Sequence, residues 1–320
     1  MSSAISALPD VVAEGLPTAG GLLDRVGMNG IETIVRLATT TGPLLLPARV
    51  DAFVSLDDPS AKGIHMSRIV LAIEESFSNR DLTPATVAAL LRRIRRDQGA
   101  LSRSARLVVH VDYPVRRKSL RSGERGIRIY PLRFAGALEA DDGLRTELGA
   151  VVTYSSTCPC SAALARQILR RRFLDRFGAL EKLTVAEMLG WLDSADGVLP
   201  VPHSQRSRAD VQVEIDPIDS PIAPLELIDL VEHALGTPVQ AAVKRIDEQE
   251  FARLNGANPL FCEDAARRVA AVLASDLRVR AHRVHVEHEE SLHAHDAVAA
   301  VSSRRRPAGT PAPRLVRGSG

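Results

Sequence analysis

Cysteine and lysine are both scarce in this chain of 320 residues, and no apolar run approaches the length of a bilayer span. Three cysteines cannot build a disulfide framework, and they fit a reducing compartment. The opening "MSSAISALPDVVAEG" has neither the basic start nor the long apolar core of a signal peptide, which predicts a cytoplasmic chain. Lysine occurs only at Lys62, Lys118, Lys182 and Lys244, so arginine carries the basic charge. The formal net charge is only +2, and nothing global draws the chain to nucleic acid or to an acidic membrane. Gly-rich phosphate loops of the G-x-G-x-x-G and G-x-x-x-x-G-K-[ST] types are missing too, which removes the main support for a dinucleotide-binding or P-loop fold.

What is present suits a packed core, with 45% apolar residues. Residues 1–35 are rich in Gly, Pro and Ala and read as an arm packed on something else. From "LLLPARVDAFVSLD" the pattern alternates between strand-like and helix-like stretches. "LTPATVAALLRRIRRD" opens on Thr-Pro and ends basic, as helices do. "ARLVVHVDYPV", "RGIRIYPLRFAGALEA", "ELGAVVTYSST" and "RADVQVEID" read as strands, and "LRVRAHRVHVEHEE" as a final one. The order predicts an α+β fold in two tandem units, 36–145 and 146–300, with a helical insert near 166–198. The Arg-, Pro- and Gly-rich residues 301–320 read as a disordered tail.

Chemistry concentrates in four places. "YSSTCPCSAALARQ" sets Cys158 and Cys160 around Pro159 at a helix start, where Ser155, Ser156 and Thr157 can supply capping oxygens. A thiol there sees the positive helix end, which favours the thiolate that binds metal or attacks carbon. "PHSQRSRADVQVE" places His203 just before a strand. "VHVEHEESLHAHDA" is the densest stretch: five of the nine histidines fall between His282 and His295, mixed with Glu287, Glu289, Glu290 and Asp296. Such His/Glu/Cys sets are what a borderline divalent metal selects. Glu290 and His293 fall on opposite faces of a continuous strand, so they converge only if "EESLHAHD" leaves the strand for a loop. Finally, Glu263 follows Cys262 in the first turn of a helix, either as a dipole-matched acid or as a carboxylate offered to paired N–H donors.

"SSTCPCSAALA", "PHSQRS", "NPLFCED" and "EESLHAHDA", in that order, resemble the GTP cyclohydrolase type IB family of bacterial folate synthesis. "LPDV" at Leu8–Val11 and "KGIHMSR" at Lys62–Arg68 also fit, so the resemblance runs from about residue 8 to 300. It implies the tunnelling fold, in which antiparallel sheets with helices on one face assemble through subunits into a barrel. It therefore implies a homo-oligomer with sites at subunit interfaces. The sequence departs from the family pattern in reading "HSQRS" for "HNQRS", and in the long Arg- and Leu-rich run between Cys160 and His203.

The resemblance also implies roles. Cys160 is the cysteine tied to catalysis. Cys160, His203, Glu290 and His293 match the metal-site positions, with His293 either a ligand or a proton carrier. Glu263 matches the carboxylate that anchors guanine, and Lys62, Arg68 and Arg206 are candidates for the triphosphate. One divalent metal per site is implied, with zinc, manganese and iron all compatible with these ligand types. The expected reaction is hydrolysis of GTP at C8, giving 7,8-dihydroneopterin triphosphate and formate. An archaeal-type cyclohydrolase and a non-catalytic metal- or purine-binding relative are the alternatives. The nitrile reductase of the same fold is disfavoured, because its Glu-Ser-Lys-Ser-type stretch is missing.

Overall fold

The computed structural model describes residues 19–304, apart from 40, 79, 198 and 217–220. Eight strands alternate with helices along the chain. The first half comprises β1 (Leu23–Leu37), β2 (Leu44–Leu56), α1 (Met66–Ser78), α2 (Pro84–Gln98), β3 (Ala105–Lys118) and β4 (Arg125–Leu138). The second comprises β5 (Leu144–Thr157), α3 (Pro159–Phe177), α4 (Val185–Leu192), β6 (Ser204–Ile215), α5 (Pro224–Leu235), α6 (Arg245–Ala257), α7 (Cys262–Ser275), β7 (Val279–His288) and β8 (Ala297–Arg304). The strands form one antiparallel sheet in sequence order, β1 to β8. Short connections between antiparallel neighbours produce this order wherever no crossover intervenes.

Period-two patterning decides which face is covered. On β6, Gln205, Ser207, Ala209, Val211 and Val213 are buried while the residues between them are more exposed. Helices α1 and α2 cover the first half of that face, and α5 and α7 cover the second. Between them lies one continuous core that includes Val50, Leu107, Leu148, Val211, Leu227 and Val269. Helix α2 shows how local signals set an element's start. Thr83 Oγ1 accepts the backbone N–H of Thr86 at 3.1 Å, and Pro84 takes the first helical position, where no N–H is needed.

Three sequence expectations change here. Residues 23–35, read as part of an arm, belong to β1; residues 1–18 of that arm lie outside the described residues. Two register irregularities in β1 break the alternation that would have marked it as a strand. Residues 301–304, expected in a tail, belong to β8, which runs to Arg304, and 305–320 lie outside the described residues. The boundary expected between 145 and 146 falls just inside β5, and the sheet is continuous across it.

The insert is helical, as its composition suggests, and its first helix begins at Pro159. It carries a small aromatic cluster of its own, with Phe173, Phe177 and Trp191 at centroid separations of 5.2–6.1 Å. A capping box starts α4: Glu187 N donates to Thr184 Oγ1, and Thr184 N donates to Glu187 Oε2. No helix among the described residues is long and apolar enough to cross a membrane.

Candidate active site

Strand register brings the chemistry-bearing motifs to one end of the sheet. Thr157, the last residue of β5, pairs with Ser204 at the start of β6, and Ser207 pairs with His288 at the end of β7. The Cys158–Cys160 turn, His203 and Glu290 therefore meet where these three strands stop. The backbone fastens them. Cys158 N donates to His203 O at 3.2 Å, and His203 N donates to Ser161 Oγ at 3.2 Å. Leu260 N donates to Thr157 O at 2.9 Å, which carries the start of α7, and with it Glu263, to the same end.

His203 is the centre of the arrangement. Its Nδ1 lies 3.0 Å from Gln205 Oε1 and 3.8 Å from Glu290 Oε2. Glu290 Oε2 is buried and has no hydrogen-bond partner among the described residues. A carboxylate oxygen out of water and unpaired is costly, so this atom marks a place where a proton donor or a cation belongs. Behind His203 a buried polar network runs into the core. Gln205 Nε2 donates to Ser156 Oγ at 3.0 Å, and Ser156 Oγ lies 2.8 Å from Ser207 Oγ and 3.2 Å from His288 Nδ1. His288 Nε2 lies 2.8 Å from the Tyr154 hydroxyl. Burial pushes His288 down to about 4, so it is a neutral imidazole near neutral pH.

Glu263 is exposed at the first turn of α7. Its own backbone N–H, then the Cys262 thiol, hold its carboxyl below the usual range. Burial, helped by that carboxylate, pushes the Cys262 thiol up to about 11. Glu263 is thus an ionised acceptor facing outward at the site end, while Cys262 is an inert buried thiol.

Other expected residues are placed elsewhere. His293 is exposed in the bend after Glu290 and stacks on His295 with centroids 5.0 Å apart. Cys160 is exposed on the first turn of α3. Among the described residues no three His, Cys, Asp or Glu side chains are gathered into a cluster able to hold a metal; the expected pair in contact is His203 with Glu290. Arg206 is exposed and alternates with the buried Gln205 and Ser207, which puts it on the uncovered face of β6. Lys62 and Arg68 follow β2 at the opposite end of the sheet, where Arg68 donates to Asp97 O at 2.7 Å. β5 alone is 14 residues long, about 45 Å at about 3.3 Å per residue, so neither reaches His203 within one chain. Ser156 and Thr157, expected as helix caps, instead enter the buried network and bond Ser204; Cys158 takes the cap position without a side-chain bond.

A family model described as "GCHY-1: Type I GTP cyclohydrolase folE2" matches residues 8–299. The chain belongs to that family. GTP cyclohydrolase activity, a hydrolase chemistry on GTP in folate biosynthesis, follows from membership. Among curated relatives it is 42% identical over 295 residues to "GTP cyclohydrolase FolE2" of Hydrogenovibrio crunogenus, covering 92% of this chain and 94% of the relative. It is 44% identical over 292 residues to the protein of the same name from Pseudomonas putida, covering 91% and 94%. The crystal structure of uricase from Arthrobacter globiformis aligns with a TM-score of 0.52 at 6% identity, covering 92% of this chain and 97% of that one. That likeness concerns the fold alone. It agrees with the α+β tunnelling fold, one antiparallel sheet with helices on one face, that this cyclohydrolase chain displays.

Sequence reasoning missed Gln205, Ser156, Ser207, His288 and Tyr154. A signal was available. Tyr154 and Ser156 share one face of a strand, as do Gln205 and Ser207, so polar side chains recur at core-facing positions of two neighbouring strands.

Proposed function

We propose that GTP is opened at C8 at the end of β5, β6 and β7, around His203 and Glu290. The product would be 7,8-dihydroneopterin triphosphate, with C8 leaving as formate and water consumed. The observation that carries this reading is the buried, partnerless Glu290 Oε2 beside His203, in a chain of this family. Such a pair fits a divalent cation, and Cys160, tethered to His203 through the Cys158 backbone, supplies a third donor of compatible type. His293 is a fourth, if the exposed bend that bears it folds inward.

A divalent cation held there supplies the Lewis acidity that makes water a nucleophile near neutral pH. The chain's own residues supply the rest. Glu263, an outward-facing ionised carboxylate, accepts from the guanine N1–H and exocyclic amine as a bidentate pair, which selects against bases lacking those donors. His293, on the exposed bend after Glu290, is either that fourth donor or the carrier of a proton to the ring nitrogen released when the C8 bond breaks. The triphosphate needs several cations, and Arg206, exposed near the start of β6, supplies one at this end of the chain. We assign the others to Lys62 and Arg68 of a neighbouring copy, in a homo-oligomer whose sites lie between subunits. We place the enzyme in the cytoplasm, with its nucleotide substrate.

The test is turnover. Metal-free protein is reconstituted separately with manganese, iron and zinc and incubated with GTP, and formate and pterin products are identified by mass spectrometry beside Cys160→Ala. Formate with dihydroneopterin triphosphate, lost in the variant, is expected. A cyclic phosphate product would assign archaeal-type chemistry. No turnover with any metal in folded, metal-loaded protein would overturn the proposal.

A further inference from the structure

We propose that Gln205 is a positioning residue whose amide holds His203 as the Nδ1–H tautomer and leaves Nε2 as the nitrogen presented to a cation or to substrate. This rests on the reading of His203 as a residue of the active site and adds how its ring is set.

The geometry is specific at both ends of the amide. Gln205 sits on the core-facing side of β6 and is 7% exposed. Its Oε1 lies 3.0 Å from His203 Nδ1, and its Nε2 donates to Ser156 Oγ at 3.0 Å. Ser156 is itself fully buried and held by Ser207 and His288. In this orientation the amide turns its oxygen, an acceptor, to the imidazole. Glu290 Oε2 flanks the same nitrogen at 3.8 Å. A lone pair on Nδ1 would point at two acceptors, one of them a carboxylate, whereas a proton there is attracted by both. A neutral imidazole carries one N–H, and placing it on Nδ1 leaves Nε2 bare. The main chain on both sides of the ring is already fixed, His203 N by Ser161 Oγ and His203 O by Cys158 N. What remains free is rotation of the ring and choice of tautomer, and the Gln205 amide sets both. Histidines that bind metals depend on such outer partners for ring orientation and basicity.

The network also explains why the position holds glutamine. Leucine would fill the space but leave His203 Nδ1 and the Ser156 hydroxyl without their partner. Glutamate keeps an oxygen on the imidazole and can accept from Ser156 instead of donating to it. The two substitutions therefore separate loss of volume-filling structure from loss of the acceptor.

The experiment reads the tautomer directly. Full-length protein labelled with 15N-histidine is prepared metal-free, and the His203 ring is assigned by its disappearance in His203→Asn. Long-range 1H–15N spectra are expected to show a protonated Nδ1 and a bare Nε2. In Gln205→Leu the Nε2–H form should appear, and affinity for manganese or zinc should fall about 10- to 100-fold; Gln205→Glu should retain the wild-type pattern. Should Gln205→Leu not fold by circular dichroism, Gln205→Asn, whose shorter side chain withdraws the oxygen, is read the same way and should show the same shift. Nε2–H in the wild type, or an unchanged tautomer and affinity in the folded variant, would overturn the proposal. Because the tautomer is measured without GTP, absence of turnover would sink the cyclohydrolase reading and leave this one standing.

Discussion

Tyr130 donates its phenol hydrogen bond to Glu232 across 2.6 Å, joining β4 in the first half of the chain to α5 in the second. Two guanidiniums complete the knot. Arg128 donates to the same Glu232 oxygen at 2.5 Å, Arg117 donates to the Tyr130 hydroxyl at 2.9 Å, and both lie over the Tyr130 ring. Burial first, then Glu232, pushes the Tyr130 phenol well above its ordinary pKa, so it acts only as a neutral donor. Glu232→Ala would leave the mostly buried Arg128 without its carboxylate, while Arg117 keeps Asp229. It should cost about 3–5 kcal/mol in urea unfolding, against about 1 kcal/mol for Tyr130→Phe. Equal small losses from both variants would show that the ion cluster does not hold the halves together.

Asp247 makes a second tie between the halves, and it is sensitive to acid. Its carboxylate accepts from the N–H groups of Arg121, Ser122 and Lys244 and from the Ser122 hydroxyl, binding the β3–β4 turn to the start of α6. Burial alone would raise its pKa, but those four donors outweigh it and hold the carboxyl well below the usual range. A carboxylate with a depressed native pKa stabilises the fold fully above its unfolded pKa, about 4. That contribution is lost as pH falls from there toward the native value. Asp247→Asn should melt at a lower temperature than wild type at pH 7. The difference should shrink progressively below about pH 4 in a series of thermal melts. A pH-independent difference would show that Asp247 acts by shape and not by charge.

These ties also show where the sequence was legible. Strands β3 to β7 could be read from their alternation, and α2 from its Thr-Pro start. Helix α6, "RIDEQEFARLNGA", was not found, because it buries only Asp247 fully and has no apolar stripe to betray it. β1 was hidden by its two irregularities, one of them at Gly30, which has φ 68° and whose N–H is taken by Asp51 Oδ1 at 2.8 Å. At the site, the motifs named Cys160, His203, Glu263, Glu290 and His293, and the contact between two of these side chains is His203 with Glu290. What no motif could supply was the distance from Lys62 and Arg68, since pairing register, not spacing along the chain, decides which strand ends meet. The Gln205–Ser156 contact was equally out of reach, because a core-facing polar residue is informative only when its cross-strand neighbour is known.

Glu263 offers a sharper test of substrate choice. It is exposed, so replacing it should leave stability within about 0.5 kcal/mol of wild type. Glutamine keeps the shape but puts an N–H where one of guanine's donors must be received. Glu263→Gln should lower kcat/KM for GTP roughly 10- to 100-fold, the worth of a hydrogen bond to a charged acceptor. Its preference for GTP over inosine triphosphate, which lacks the exocyclic amine, should narrow. Steady-state kinetics with both nucleotides, beside a thermal melt, decides the matter: an unchanged preference would remove Glu263 from base recognition.

Separation of Lys62 and Arg68 from His203 gives the last prediction, which bears on assembly. Both cations stand at the end of the sheet where β2 stops, and the Cys158–Cys160 turn stands at the other, where β5 stops. If one site draws on both ends, the ends belong to different copies. Lys62→Ala and Cys160→Ala should then each fail as homo-oligomers, Lys62→Ala through a raised KM for GTP and Cys160→Ala through lost turnover. Unfolded together and refolded as mixed oligomers, they should regain activity, because some interfaces pair an intact Lys62 from one copy with an intact Cys160 from another. The recovery should depend on the mixing ratio and peak near equal amounts. Inert mixtures whose exchange of subunits is verified by native mass spectrometry would place both residues' functions within one chain or remove Lys62 from the site. Full activity of Lys62→Ala alone would do the latter directly.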